Sequence, residues 1–240
     1  MPTPSVSSLD PRLRRAVDGS VGWYEDLCAL HGIGTRIAAG IWRSAGPPPA
    51  LHSDVVIVEP SATAEGLIEA FSGRTSWGYK DSFASLAPSG PSVQLLFEAT
   101  WMHREAPARS REGHRATPWR PLRTAEELAR WNAGWDTSEV LLPGLLERGH
   151  FAILGRFEAE EIVAGAVARL GSGAVDVSNV HGVDGRAVDW EELVVAIGAV
   201  FPDRELVGYE RGEDLDAALS AGFAPVGPLR VWIGRGTSPG

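Results

Sequence analysis

A chain of 240 residues fits one large domain or two small ones. Apolar residues at 44% and charged residues at 22% supply enough hydrophobic surface for a packed core and exclude global disorder. A formal net charge of -9 repels a phosphate backbone, so nucleic acid is excluded as the natural partner. Lys80 is the sole lysine among 22 basic residues, a mark of GC-rich coding. The single cysteine, Cys28, permits no intrachain disulfide and fits a reducing cytoplasm; its apolar neighbours make it an inert helix residue rather than a nucleophile. Residues 1–15 lack the apolar stretch of a signal peptide, and the longest apolar run, 193–201, falls well short of the roughly 20 residues a bilayer requires. A soluble, cytoplasmic protein with no membrane partner is expected.

In chain order, residues 1–19 show no periodicity and read as a flexible arm. Trp23, Leu27, Leu30, Ile37 and Ile41 recur at near-helical intervals, with Gly32 and Gly34 splitting the run into two pieces. The β-branched run 54–59, stopped by Pro60, predicts a buried strand; 64–71 predicts a short helix, and 77–79 and 93–101 two more strands. Residues 105–118 lack large apolar side chains and read as a linker. After it come a strand at 119–122 and a helix capped by Thr124, with Glu126 and Glu127 at its positive end. Three strands at 151–157, 162–170 and 174–180 form an antiparallel meander. Asp189 caps a helix over 190–200, and 206–233 makes a strand, helix, strand unit with Gly222 ending its helix; 236–240 is a tail.

The two halves echo one another at an offset of 130 residues. Phe71 precedes Gly78-Tyr79 as Phe201 precedes Gly208-Tyr209, and each tyrosine is followed by a strand carrying a tryptophan, Trp101 or Trp232, at separations of 22 and 23. This register predicts a tandem duplication, with halves at 20–104 and 119–235.

The element order from residue 119 on, closed by Ala221-Gly222-Phe223-Ala224-Pro225-Val226-Gly227, resembles the GNAT superfamily of N-acetyltransferases, with 20–104 as a truncated second copy. The resemblance implies an α/β (α+β) fold: a mixed, mostly antiparallel sheet flanked by helices. It further implies an acyl-CoA, such as acetyl-CoA, as co-substrate, and a small-molecule or peptide amine as acceptor that attacks the thioester directly. The acyl-CoA site would then lie between 176–180 and 206–210, with Ser178 and Val180 along the pantetheine arm. The pyrophosphate would rest on the loop Gly182, Val183, Gly185, Arg186 and Ala187, because unpaired amides at a helix start bind anions without a lysine. In the family's loop pattern an Arg or Gln opens the motif. Here Gly182 stands at that place, Gly185 and Ala187 match, and Asp184 adds a negative charge.

The tyrosine that reprotonates the CoA thiolate in the family falls on Ala218 here, which leaves Tyr209 as the substitute acid. Glu210, Asp176 and Glu158 are candidate bases, since a desolvated carboxylate has its pKa raised; His181 is another, placed where the central strand meets the loop. The departures at Gly182, Asp184 and Ala218 motivate an alternative, a GNAT-like fold without catalysis that serves as a binding module. No histidine has the sequence spacing of a metal site, and no dinucleotide or Walker loop is present. Lys80-Asp81-Ser82-Phe83 is a polar cluster with two readings, a cap made by Asp81 or a contact to a ligand where the halves meet.

Overall fold

The computed structural model describes residues 9–90, 92–106, 117–135, 137 and 140–235. Helix α1 (Pro11–Leu30) opens the chain, followed by β1 (Thr35–Ala38), β2 (Ile41–Ser44), β3 (Val55–Ile57), α2 (Ala64–Ala70), β4 (Ser76–Asp81) and β5 (Val93–Arg104). The second half runs β6 (Trp119–Pro121), α3 (Ala125–Trp135), β7 (Phe151–Glu158), β8 (Glu161–Leu170), β9 (Val175–Gly182), α4 (Trp190–Val200), β10 (Leu206–Glu210), α5 (Gly212–Ser220) and β11 (Ala224–Arg235). This is the mixed, mostly antiparallel α/β architecture expected. Among the described residues one sheet of 11 strands, ordered β1-β2-β3-β4-β11-β5-β10-β9-β8-β7-β6, runs through both halves. Only β3/β4 and β9/β10 pair in parallel there.

The arm expected through residue 19 is corrected: α1 begins at Pro11, behind the cap Asp10, whose carboxylate accepts from Arg12 N at 2.8 Å. Its first turns hide from a periodicity reading because the buried Leu13, Val17 and Val21 are interspersed with the small residues Ala16, Gly19, Ser20 and Gly22, also buried. A Cβ on Gly19 would stand 3.1 Å from Asp176 Cβ, so the glycine lets the helix approach the sheet there. Arg14 and Arg15 reach across to Glu59 (2.7 Å) and Glu205 (3.0 Å). A second correction concerns Ile37 and Ile41. They fall on the tight hairpin β1/β2, not on a helix. The linker expected at 105–118 lies mainly, and the tail at 236–240 wholly, outside the described residues.

The sequence echo becomes a crossed pairing. Tyr209 on β10 sits opposite Trp101 of the first half, and Tyr79 on β4 sits opposite Trp232 of the second. This arises because β11 inserts between β4 and β5. In each parallel pair the glycine before the tyrosine meets its neighbour closely. A Cβ on Gly208 would stand 2.5 Å from the Val177 carbonyl oxygen, and one on Gly78 would stand 3.2 Å from Ser53 Cα. Two layers of helix cover the sheet: α1 and α3 bury Leu13, Val17, Trp23, Leu27, Leu128 and Trp131 on one face, while α4 and α5 bury Trp190, Leu193, Ile197 and Ala218 on the other.

The parallel pairs then diverge in behaviour. In β3/β4 pairing continues past the glycine, through Val55–Tyr79 and Val56–Lys80, and Asp54 clamps the strands by accepting from Gly78 N (2.7 Å) and pairing with Arg74. In β9/β10 pairing runs Val175–Leu206, Asp176–Val207, Val177–Gly208 and stops. A register shift against β8 follows, with Asn179 at φ 53°, the geometry of a β-bulge. Strand β9 continues beside β8 while β10 follows β5, so a gap opens between Ser178 and Tyr209. Gly208→Val should drive the strands apart before that point and lower stability by about 2 kcal/mol, the scale of overpacking, read as a fall in Tm by circular dichroism. An unchanged melt would show that the close approach carries no strain.

Candidate functional site

The gap opens into a cavity of about 1070 Å³ on the face covered by α1. Its walls come from both halves: Ser20, Trp23 and Tyr24 on α1, Lys80 on β4, Phe97 on β5, Trp135 on α3, Asp176 to Val180 on β9, and Tyr209, Glu210 and Arg211 at the end of β10. Of the residues expected from sequence, the fold brings Asp176, Ser178, Val180, Tyr209 and Glu210 together here.

Asp176 lies on the cavity floor beneath α1, 3% exposed, its carboxyl without a hydrogen bond among the described residues. Burial pushes its carboxyl up to about 7, against the pull of Lys80 and Arg169. Glu210, at the strand end, is pushed up to about 8 by burial and by the like charge of Asp214, with Arg211 opposing. Both therefore stand in the range where a carboxyl exchanges protons near neutral pH. Burial also raises the Tyr209 phenol, while Lys80 acts to lower it. The position from which the resemblance implied a tyrosine, Ala218, is fully buried between α5 and the sheet. Tyr209 thus supplies the phenol of this cavity's deep end, beside that of Tyr24.

His181 and the loop after it lie elsewhere, outside the cavity lining. His181 is buried between Trp131, edge-on at 4.6 Å, and Trp135, stacked at 4.6 Å. Its Nδ1 donates to the Asn179 carbonyl at 3.1 Å, which leaves Nε2 an acceptor without a partner among the described residues. Burial lowers its pKa and keeps it neutral. The loop forms a 3₁₀ turn, Val183–Gly185, with Asp184 at φ 55° and Gly185 at φ 74°. Gly182 packs against the Arg186 carbonyl, and Arg186 pairs with Glu158 at 3.0 Å, which also accepts from Arg156 at 2.6 Å. Glu158 is thereby an exposed partner of two arginines, its pKa held below the usual range by their hydrogen bonds. Helix α4 starts only at Trp190, and Asp189 already caps it through Glu192 N (3.0 Å).

The strand gap lies where the resemblance implied a pantetheine arm. The loop that the resemblance assigned to a pyrophosphate, with Gly185, Arg186 and Ala187, has Asp184, Glu158 and the first-turn acids Glu191 and Glu192 around it. Asp184→Asn should tighten acetyl-CoA binding about threefold at low salt, the value of one exposed charge contact, as measured by calorimetry. An unchanged dissociation constant would place the phosphates away from this loop.

Of the two readings of Lys80-Asp81-Ser82-Phe83, a cap by Asp81 or a contact to a ligand, the structure bears on the first. Asp81 caps the following turn by accepting from Phe83 N (3.2 Å) and Leu86 N (2.7 Å), whereas Lys80 points into the cavity wall, 1% exposed. Ser20 and Tyr24, its neighbours on α1, were not among the expected site residues, since no local pattern brings that helix to β4. The histidine spacing concealed one cluster: His103, Glu105 and Glu205 place ligand atoms within 4.8 Å of one another. It lies at the start of β10, away from the cavity, and Glu205 there is ion-paired with Arg15 at 3.0 Å.

No protein-family model matches the chain, and no curated protein matches it by sequence. Solved structures do. A protein placed in the GNAT acetyltransferase family, from Novosphingobium aromaticivorans, superposes with a TM-score of 0.62 at 14% identity, covering 95% of this chain and 100% of its own. A conserved protein of unknown function from Staphylococcus epidermidis gives 0.60 at 8% identity, over 84% and 93% of the two chains. A GCN5-related N-acetyltransferase from Kribbella flavida gives 0.56 at 13% identity, over 92% and 97%. No helix is long and apolar enough to cross a membrane among the described residues. The chain has the fold of the GNAT N-acetyltransferases over nearly its whole length.

Proposed function

We propose that the protein is an acyl-CoA-dependent N-acyltransferase acting on an amine of a small molecule or peptide. The observation that carries this reading is the parting of β9 and β10 after Val177–Gly208, directly over a cavity holding Tyr209, Asp176 and Glu210. The thioester lies in the gap, where the backbone amides freed on β9 polarise its carbonyl. Glu210 or Asp176 takes a proton from the ammonium form of the acceptor, the neutral amine attacks, and Tyr209 returns a proton to the departing thiolate. Residues Gly185, Arg186 and Ala187 would hold the pyrophosphate, with Ser178 and Val180 along the arm.

A base must be ionised to act. With Asp176 near 7 and Glu210 near 8, turnover rises as pH climbs through that interval. Stability moves the other way. A folded Asp176 keeps its proton up to about 7, whereas an unfolded aspartate loses it near 3.9, so the folded state binds more protons between those values and is weakened as pH rises through them. A loss of about 100-fold in kcat/KM should follow from Asp176→Asn where Asp176 is the base and from Glu210→Gln where Glu210 is, and in either case Asp176→Asn should leave Tm at pH 8 equal to or above the parent's. A Tm loss at pH 8 would mean that the carboxylate has a structural task.

The acidic surroundings of the loop and Ala218 favour a second reading, a GNAT-like module that binds without catalysis. Calorimetry with acetyl-CoA and a thiol-release assay over an amine panel separate the two. Absence of binding at millimolar concentration removes the acyltransferase reading, and turnover of any amine removes the second.

A further inference from the structure

We propose that Lys80 is a positioning residue for the acid of this reaction: its buried ammonium holds the Tyr209 phenol with its hydrogen free for the cavity and stabilises the phenolate left after proton transfer. The proposal rests on the acyltransferase reading and extends it to a side chain of the first half. Lys80 Nζ donates to Ser20 Oγ at 3.0 Å and to Tyr209 Oη at 3.4 Å. The same nitrogen stands 4.4 Å from the Tyr209 ring centroid, 4.7 Å from that of Tyr24 and 5.8 Å from that of Trp101. It forms no ion pair within contact distance among the described residues, so the immediate neighbours of this nearly inaccessible cation are hydroxyls and ring faces.

Donor chemistry sets the direction of the contact. An ammonium has hydrogens and no acceptor, so the Tyr209 oxygen accepts from Lys80 and its own hydrogen points elsewhere. Tyr209 lines the cavity, so that hydrogen is available to a leaving group there. When the tetrahedral intermediate collapses, the C–S bond breaks with its electron pair on sulfur, and the Tyr209 proton moves to the thiolate. The phenolate formed lies against a fixed positive charge. The carboxylate, Glu210 or Asp176, releases the ammonium's first proton to solvent, takes the second proton from the attacked nitrogen and passes it on to restore the phenol, so that amine and thioester become amide and thiol. Other titratable groups facing the pair are Tyr24 on α1, Asp176 on β9, Glu210 on β10 and His52 before β3, with Arg169 on β8 beyond Asp176.

The test compares acetyl-CoA with phenyl thioacetate, whose more acidic thiol leaves without needing a proton, in the parent chain, Lys80→Met, Lys80→Arg and Tyr209→Phe. Lys80→Met and Tyr209→Phe should each lose about 100-fold in kcat/KM with acetyl-CoA and no more than a few-fold with phenyl thioacetate, and Lys80→Arg should recover part of the loss. Ser20→Ala, which keeps the charge and loosens its anchor, should give the same donor pattern at smaller amplitude. A second readout needs no turnover. The ultraviolet titration of Tyr209, taken as the difference from Tyr209→Phe, should move to higher pH in Lys80→Met. Equal losses with both donors, or an unmoved titration, overturn the proposal. A parent chain that turns over neither donor overturns the acyltransferase reading, and the titration then decides the Lys80 contact by itself.

Discussion

The insertion of β11 between β4 and β5 constrains everything else in the molecule. Because the last strand of the chain lies between two strands of the first half, neither half can complete its hydrogen bonding alone. Each Gly-Tyr strand is closed by the tryptophan strand of the other half, Tyr209 by Trp101 and Tyr79 by Trp232. Pairing of this kind joins residues more than a hundred positions apart, which makes folding slow in loop-closure terms and the product inseparable. It also brings Lys80 of the first half and Tyr209 of the second to one cavity under α1.

Within that frame the two parallel pairs have opposite fates. Asp54 holds β3 and β4 together through Gly78 N and Arg74, so the first half has no parted strands beyond its tyrosine. In the second half the bulge at Asn179 carries β9 away from β10, and the cavity follows the gap. One half therefore supplies the cleft. The other supplies much of its wall, including the cation beside the phenol.

Much of this was legible in the residues. Thr124 and Asp189 cap the helices they were expected to cap, the meander β7 to β9 follows its apolar alternation, and the Gly-Tyr echo marks strands that occupy matching places beside their parallel neighbours. The start of α1 was hard to read because Ala16, Gly19, Ser20 and Gly22 interrupt the buried face that Leu13, Val17 and Val21 mark. Ile37 and Ile41 have helical spacing by coincidence, since a hairpin also returns the chain after four residues. For the site, the family resemblance pointed to the strand ends that carry Asp176, Tyr209 and Glu210, but no sequence pattern says which way a side chain faces. His181 follows the bulge and turns to Trp131, and the loop that matches the family's spacing lies beyond the cavity wall. Lys80 stood out as the only lysine, yet its partner Tyr209 lies 129 residues away, a distance no local pattern spans.

The central claim is that the parted strands of the second half, and not the clamped strands of the first, receive the acyl-CoA. Hydrogen exchange of the backbone amides, followed with and without acetyl-CoA, tests it most directly. The account predicts new protection at 178–180 and 209–210, with none at 55–57 or 78–81. Protection confined to the first-half pair, or absent from both at saturating acetyl-CoA, would contradict it.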